Sequence, residues 1–191
     1  RDNQVEVREG TSVEKVLFEN GRATGVSISN GTGPETINAK VVVDASGRNT
    51  VIGRQLGLKS DVPGLNKGSL WGYYRGGKRL PGIDAGETTL LLLPGGGWFW
   101  YIPLPDDIVS VGIVADPDYL FSSGDTPEDV FKREVSKCPA LAERLANAEL
   151  VGRVHGLQQL AYLNRQTCGD GWLMIGDARA FLDPIYSSGL F

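Results

Sequence analysis

Trp172-Leu173-Met174-Ile175-Gly176-Asp177-Ala178-Arg179-Ala180-Phe181-Leu182-Asp183-Pro184-Ile185-Tyr186-Ser187-Ser188-Gly189 opens with four apolar residues and closes on a polar turn. The apolar run suits a buried strand, and Gly176 lets the chain turn at its end. A strand that stops at Gly-Asp sets a carboxylate at its carboxyl end, where ligands of open α/β sheets bind. Asp177 is therefore a candidate acceptor for sugar or ribityl hydroxyls. After Asp183-Pro184, the Ser187-Ser188-Gly189 turn is expected to open a helix whose unpaired N–H groups would face an anion or a ring carrying negative charge.

The same pattern stands about 130 residues earlier, where Val41-Val42-Val43 runs into Asp44-Ala45-Ser46-Gly47-Arg48. Continuous apolar text again predicts a strand covered on both faces. The two strands are expected in one sheet or in adjoining layers, with Asp44 and Asp177 at the same end. Before Val41 the text alternates in short runs, Val5 to Arg8, Ser12 to Phe18 and Ala23 to Ser29, and Ala39 to Asp44 is read as one further strand. Glu19-Asn20-Gly21 and Asn30-Gly31 supply the turns. A short helix from Val51 to Leu56 stops at Gly57.

The middle of the chain changes character. Leu70 to Tyr74, Thr88 to Leu93, Trp98 to Leu104 and Ile108 to Ala115 are aromatic and aliphatic runs broken by Gly, Pro and Asp, which predicts a mainly antiparallel sheet. Pro105-Asp106-Asp107 is a hairpin loop. Thr126-Pro127-Glu128 reads as a helix start, with Thr126 at the N-cap and Pro127 at the first helical position. That helix reaches about Lys137, and a second covers about Ala140 to Ala146. A strand set from Val151 to Leu163 leads back to Trp172. The fold class is thus mixed α/β. Residues 1–50 and 166–191 are read as parts of one domain, interrupted by a sheet-plus-helix segment at 51–165.

Composition narrows the function classes. The chain has 191 residues, 41% hydrophobic and 22% charged, with a net charge of −4 and no basic stripe, so neither nucleic acid nor an anionic membrane is an expected partner. No apolar run reaches the ~20 residues of a membrane span, and a soluble, cytoplasmic protein is expected. The two cysteines, Cys138 and Cys168, have no metal-ligand spacing and are read as reduced. Met174 is the single methionine, so the chain is expected to be an internal part of a longer protein.

The pattern G-D-A-x-x-x-x-D-P-x-x-S-S-G, at Gly176 to Gly189, is similar to the second FAD motif of oxidoreductases built like p-hydroxybenzoate hydroxylase, and most of all to that of flavin-dependent halogenases. Arg179, Ala180 and Tyr186 depart from the commonest wording, where small residues, a Gly and a Phe are expected. None of them removes a polar group that the flavin needs. The Asp44 strand resembles the D-A-S-G-x motif of the same flavoproteins, and Trp98-Phe99-Trp100-Tyr101-Ile102-Pro103 resembles W-x-W-x-I-P, a halogenase signature.

This resemblance implies a part of a three-layer FAD-binding domain with an inserted antiparallel substrate domain. It implies FAD contacts at Asp44, Gly176, Asp177, Asp183, Pro184, Ser187, Ser188 and Gly189. Strand alternation puts Trp98, Trp100 and Ile102 on one face, and the resemblance implies that Trp98 and Trp100 shield the flavin. Organic substrate is then kept from the activated flavin, so that halide reacts first and hypohalous acid forms in a closed space. Implied with it are halide as co-substrate, a separate flavin reductase, and an electron-rich aromatic or heteroaromatic substrate, carrier-protein-bound in some members. The glycine-rich G-x-G-x-x-G turn and the halogenating lysine are expected in sequence outside this chain.

An aromatic hydroxylase or a geranylgeranyl-reductase-like enzyme would share the Gly176-Asp177 motif without needing Trp98 and Trp100. A non-catalytic sheet domain with a broken flavin site is the remaining alternative. Gly95-Gly96-Gly97 reads as a hairpin loop and not a phosphate cradle, because no helix start follows. His155, the sole histidine, has no neighbours for a metal or a triad, and no metal is expected. Lys59, Lys67 and Lys78 read as surface charges, and Asp106-Asp107 and Asp116-Pro117-Asp118 as solvated turns.

Overall fold

In the computed structural model, which describes residues 5–31, 33–185 and 187, the chain divides into two compact units, residues 1–62 with 161–191 and residues 63–160. The first unit begins with β1 (Ser12–Glu19) and β2 (Arg22–Ser29), which pair antiparallel across Asn20-Gly21. Both turn residues have positive φ, 50° and 83°, as a tight hairpin requires. A third strand, β3 (Pro34–Asn38), adds to β2, and β4 is confined to Val42–Asp44. The text from Ala39 to Asp44 was expected to be one strand. Instead the chain pairs before Ala39 and again after Val41. Val5 to Arg8, also expected as a strand, has no regular structure.

After β4 come α1 (Val51–Gln55) and β5 (Lys59–Ser60). Both belong to the first unit, so the sequence boundary at 51 falls too early. The reason is local: α1 packs on β1, and the Gln55 side chain accepts from Val16 N and donates to Val16 O.

The second unit is built on a five-stranded antiparallel sheet. Its strands are β6 (Gly68–Arg75), β7 (Thr89–Leu92), β8 (Trp98–Pro103), β9 (Ile108–Ala115) and β10 (Glu149–Leu157), in the order β10-β6-β9-β8-β7. Asp106 and Asp107, at φ 58° and 59°, make the turn between β8 and β9. Gly95, Gly96 and Gly97 all have positive φ in the loop before β8, where Leu93 N donates to Gly97 O. That loop is a hairpin connection, as expected.

Three helices, α2 (Pro117–Phe121), α3 (Pro127–Ser136) and α4 (Pro139–Leu145), contribute to a core with one face of this sheet. Asp116-Pro117-Asp118 is not a plain turn, since Asp116 caps α2 by accepting from Asp118 N. On the helix-facing side Phe99, Tyr101, Val109, Val111 and Ile113 are buried at 1% exposure or less, and Phe131 of α3 meets Phe99 edge-on at 6.0 Å, while Trp98 and Val114 are buried on the other face. The buried Tyr101 hydroxyl is satisfied by donating to Lys78 O.

Glu134 of α3 is buried at 1% exposure yet fully served. Tyr119 Oη donates to one of its oxygens at 2.6 Å, and Lys137 Nζ donates to the other at 2.8 Å. Burial pushes this carboxyl up, but hydrogen bonds from Lys137 and Tyr119, the Lys137 charge and Arg133 outweigh it and hold it below its ordinary value. A carboxylate with a lowered pKa contributes stability that is present above the unfolded-state value, ~4.3, and is lost as pH falls through the folded-state value. Glu134→Gln is therefore expected to lower the melting temperature at pH 7. It should also shrink the loss of stability between pH 6 and pH 3; an unchanged pH profile would show that the carboxylate charge is not what the network uses.

The chain returns to the first unit with β11 (Tyr162–Asn164), β12 (Cys168–Gly169), β13 (Trp172–Met174) and β14 (Ala180–Phe181). β11 is flanked by β14 and β5, while β13 lies between β12 and β4. The sequence boundary at 165 is thus late, because Tyr162 and Asn164 already pair in the first unit. β13 and β4 are parallel, with Trp172 opposite Val42 and Met174 opposite Asp44. Val42, Trp172, Met174, Ile52 and Ala23 form the first unit's core. The strand pair is covered on one face only, since Val41 and Val43 are each 51% exposed. Their continuous apolar text led to the expectation of two covered faces.

Candidate flavin and indole sites

Because β4 and β13 run parallel, the residues that follow them emerge at the same end. Ile175 N donates to Asp44 O and continues the ladder, after which Gly176 turns at φ 54° into a short 3-10 turn, Gly176–Ala178. Most side chains disfavour that left-handed conformation, which a glycine adopts freely.

The two aspartates are not equivalent. Asp44 is buried at 6% exposure, and its carboxylate accepts from Ser46 N at 2.9 Å and from Ile52 N at 2.8 Å. Ser46 Oγ accepts in turn from Val51 N. Asp-Ala-Ser-Gly is thus a cap that starts α1, and both Asp44 oxygens are engaged by it. Asp177 is half-buried, and among the described residues no hydrogen bond engages its carboxylate. Asp183 forms a local turn by accepting from Ile185 N, and Ser187 N donates to Pro184 O. Ser188, Gly189 and the expected helix start lie outside the described residues.

Two residues to which sequence reasoning gave no role, Arg48 and Tyr162, neighbour Asp177. Arg48 lies over the rings of Tyr162 and Phe181, at 5.0 and 5.2 Å from their centroids. Lys59 Nζ lies 4.1 Å from the Tyr162 centroid. Burial lowers the pKa of Arg48 against the raising influence of Tyr162 and Asp177. Burial also lowers that of Lys59, helped by the charges of Arg48 and Arg54. Lys59 is exposed, as its polar surroundings in sequence predict, with its ammonium resting over the Tyr162 ring. Arg48, the variable position of D-A-S-G-x, carried a signal in its place in the motif. Tyr162 and Lys59 carried none, since β5 and β11 meet only through long-range pairing.

In the second unit, Trp98, Trp100 and Ile102 share the sheet face opposite the helices, as alternation predicts. The indoles of Trp98 and Trp100 are 6.0 Å apart and tilted by 54°. Trp100 sits opposite Gly112, where a Cβ would lie 2.2 Å from its ring, and its Nε1 donates to Ser110 Oγ at 3.1 Å. The glycine and the serine together lay the indole flat on the sheet. His155 pairs with Trp71 on the neighbouring strands, ring to ring at 5.4 Å. No cluster of metal-ligating side chains occurs among the described residues.

Comparison with known proteins gives this geometry a context. The family model for tryptophan halogenase matches residues 93–191. A 1H-pyrrole-2-carbonyl-[peptidyl-carrier protein] brominase of Pseudoalteromonas luteoviolacea is 32% identical over 99% of this chain and 47% of its own length. The corresponding chlorinase of Pseudomonas fluorescens is 32% identical over 96% of this chain and 42% of its own. Among solved structures, the myxobacterial chondrochloren halogenase CndH superposes with a TM-score of 0.89 and 34% identity, over 99% of this chain and 44% of that one. The chain spans about half the length of these relatives. With a family model over more than half of its residues and the same fold in a solved relative, the chain belongs to the tryptophan halogenase family.

Proposed function

We propose that the protein containing this chain is an FAD-dependent halogenase acting on an electron-rich aromatic or heteroaromatic ring. The observation that carries the reading is the parallel β4–β13 pair, which spends Asp44 on the backbone and leaves the Asp177 carboxylate at the strand ends. Such a carboxylate fits the hydroxyls of a ribityl chain or a ribose, and Arg48 beside it fits the anionic part of the same cofactor. Reduced FAD, when bound, supplies the electrons that activate oxygen, and halide is the co-substrate. The Trp98–Trp100 face keeps the organic acceptor from the cofactor, so that halide is the group oxidised.

Two similar relatives are named for a pyrrole held on a carrier protein, which favours a carrier-bound heteroaromatic acceptor here. A flavin reductase is the expected partner, as the resemblance to flavin-dependent halogenases implies. No helix among them is long and apolar enough to cross a membrane. The full-length protein, supplied with a flavin reductase, oxygen and bromide, should brominate an aromatic acceptor and hydroxylate it little. Bromide is the sharper probe because it is more easily oxidised than chloride. Hydroxylated product that is indifferent to halide would instead identify a monooxygenase.

A further inference from the structure

The turn that carries Asp177 is held by its carbonyls. Three successive backbone oxygens, those of Asp177, Ala178 and Arg179, are each engaged from the interior of the first unit. Tyr162 Oη donates to Asp177 O. Ala178 O, in a fully buried residue, receives both Thr50 Oγ1 and Asn164 Nδ2 at 2.7 Å. Arg179 O receives Asn164 N at 3.0 Å. Asn164 Nδ2 also donates to Thr50 Oγ1 at 2.9 Å, so Thr50 and Asn164 are linked to each other, while Tyr162 holds the neighbouring carbonyl.

The network is bought with strain. Thr50 is β-branched and fully buried, yet stands at φ 37°, a conformation such residues avoid. It sits where the Asp44 cap hands over to α1, and in this backbone state its hydroxyl reaches Ala178 O. Gly53 of α1 makes room for the group, since a Cβ there would lie 2.3 Å from both Asn164 Oδ1 and Thr50 Oγ1. A fold that needed only to close its core would accept an apolar residue at 50. A strained hydroxyl aimed at the residue after Asp177 points to a demand for accuracy at that turn.

We infer that Thr50, Asn164 and Tyr162 are positioning residues for Asp177, clamping the carbonyls of 177, 178 and 179 so that the carboxylate is presented to the flavin's hydroxyls. This rests on the flavin reading above. The network joins the D-A-S-G segment to the G-D segment, so the two motifs act as one site whose halves are set against each other by Thr50.

The test is FAD titration of the full-length apoprotein, followed by flavin fluorescence, with melting of each apoprotein as a control for folding. Tyr162→Phe removes one hydroxyl and nothing else, and Thr50→Val removes the other at nearly constant shape. Each should weaken FAD binding roughly three- to tenfold, the size of one lost hydrogen bond, while Thr50→Ser should bind like the parent. Because these residues act through Asp177, the pairs Tyr162→Phe/Asp177→Asn and Thr50→Val/Asp177→Asn should bind little worse than Asp177→Asn alone. Losses that multiply in the pairs would overturn the inference, as would parent-like binding by Tyr162→Phe. Should Thr50→Val fail to fold, the Tyr162→Phe cycle decides by itself. Parent-like binding by Asp177→Asn is a different outcome, and it would remove the flavin reading on which the inference stands.

Discussion

Replacing Trp100 with alanine in the full-length protein is expected to lower stability by about 3 kcal/mol and to abolish most halogenation in the molecules that stay folded. The indole is half-buried, so the cost lies toward the low end of large-to-small core changes. It covers Gly112, which offers no side chain to fill the gap, and its loss leaves Ser110 Oγ without its donor. If Trp100 has the proposed shielding role, its loss lets the acceptor or water reach the cofactor before halide does. Melting curves give the first quantity, and the ratio of halogenated to hydroxylated product, with peroxide released, gives the second. Undiminished halogenation by a folded Trp100→Ala variant would remove the shielding role.

Asp44→Ala is the second large effect. Its carboxylate accepts two backbone N–H groups at a buried site, and hydrogen bonds to charged groups contribute ~1.5–3 kcal/mol each. Removing it leaves the N–H groups of Ser46 and Ile52 without acceptors at the start of α1, for a total of roughly 3 kcal/mol or more by urea unfolding. Asp44→Asn separates a structural role from a ligand-binding one. An amide has one oxygen and cannot accept in both directions, so it should be destabilised almost as much as alanine. Full stability in Asp44→Asn with weakened FAD binding would instead assign the carboxylate to the ligand.

These effects also show what could be read from the chain before its fold. The alternation of Trp98, Phe99, Trp100 and Tyr101 was legible because a strand has one period, and each residue's side follows from its neighbours. The β4–β13 pairing was legible as two apolar runs ending in Asp. What stayed hidden depends on partners distant in sequence. Pro34-Glu35-Thr36-Ile37-Asn38 is polar text that becomes β3 only because β2 offers it an edge. The two-residue strands β5, β12 and β14 have no pattern of their own. Lys59 reaches the Tyr162 ring because Asn164 pairs with it across more than a hundred residues. Val41 and Val43 misled for the opposite reason, since apolar text records a demand for cover without saying which atoms supply it. Asp116-Pro117 carried the same cap signal as Thr126-Pro127, but the helix it opens, five residues long, leaves no periodicity to read.

The glycine beneath Trp100 has one more consequence. The ring's place is written twice in the chain, once as the indole at 100 and once as the hydrogen at 112. The two positions therefore cannot drift independently: a methyl group at 112 evicts the ring, and a small residue at 100 leaves position 112 free to grow. Any relative that has given up the indole is released from the glycine as well, and re-shaping this face of the sheet means changing 100 and 112 as a single unit.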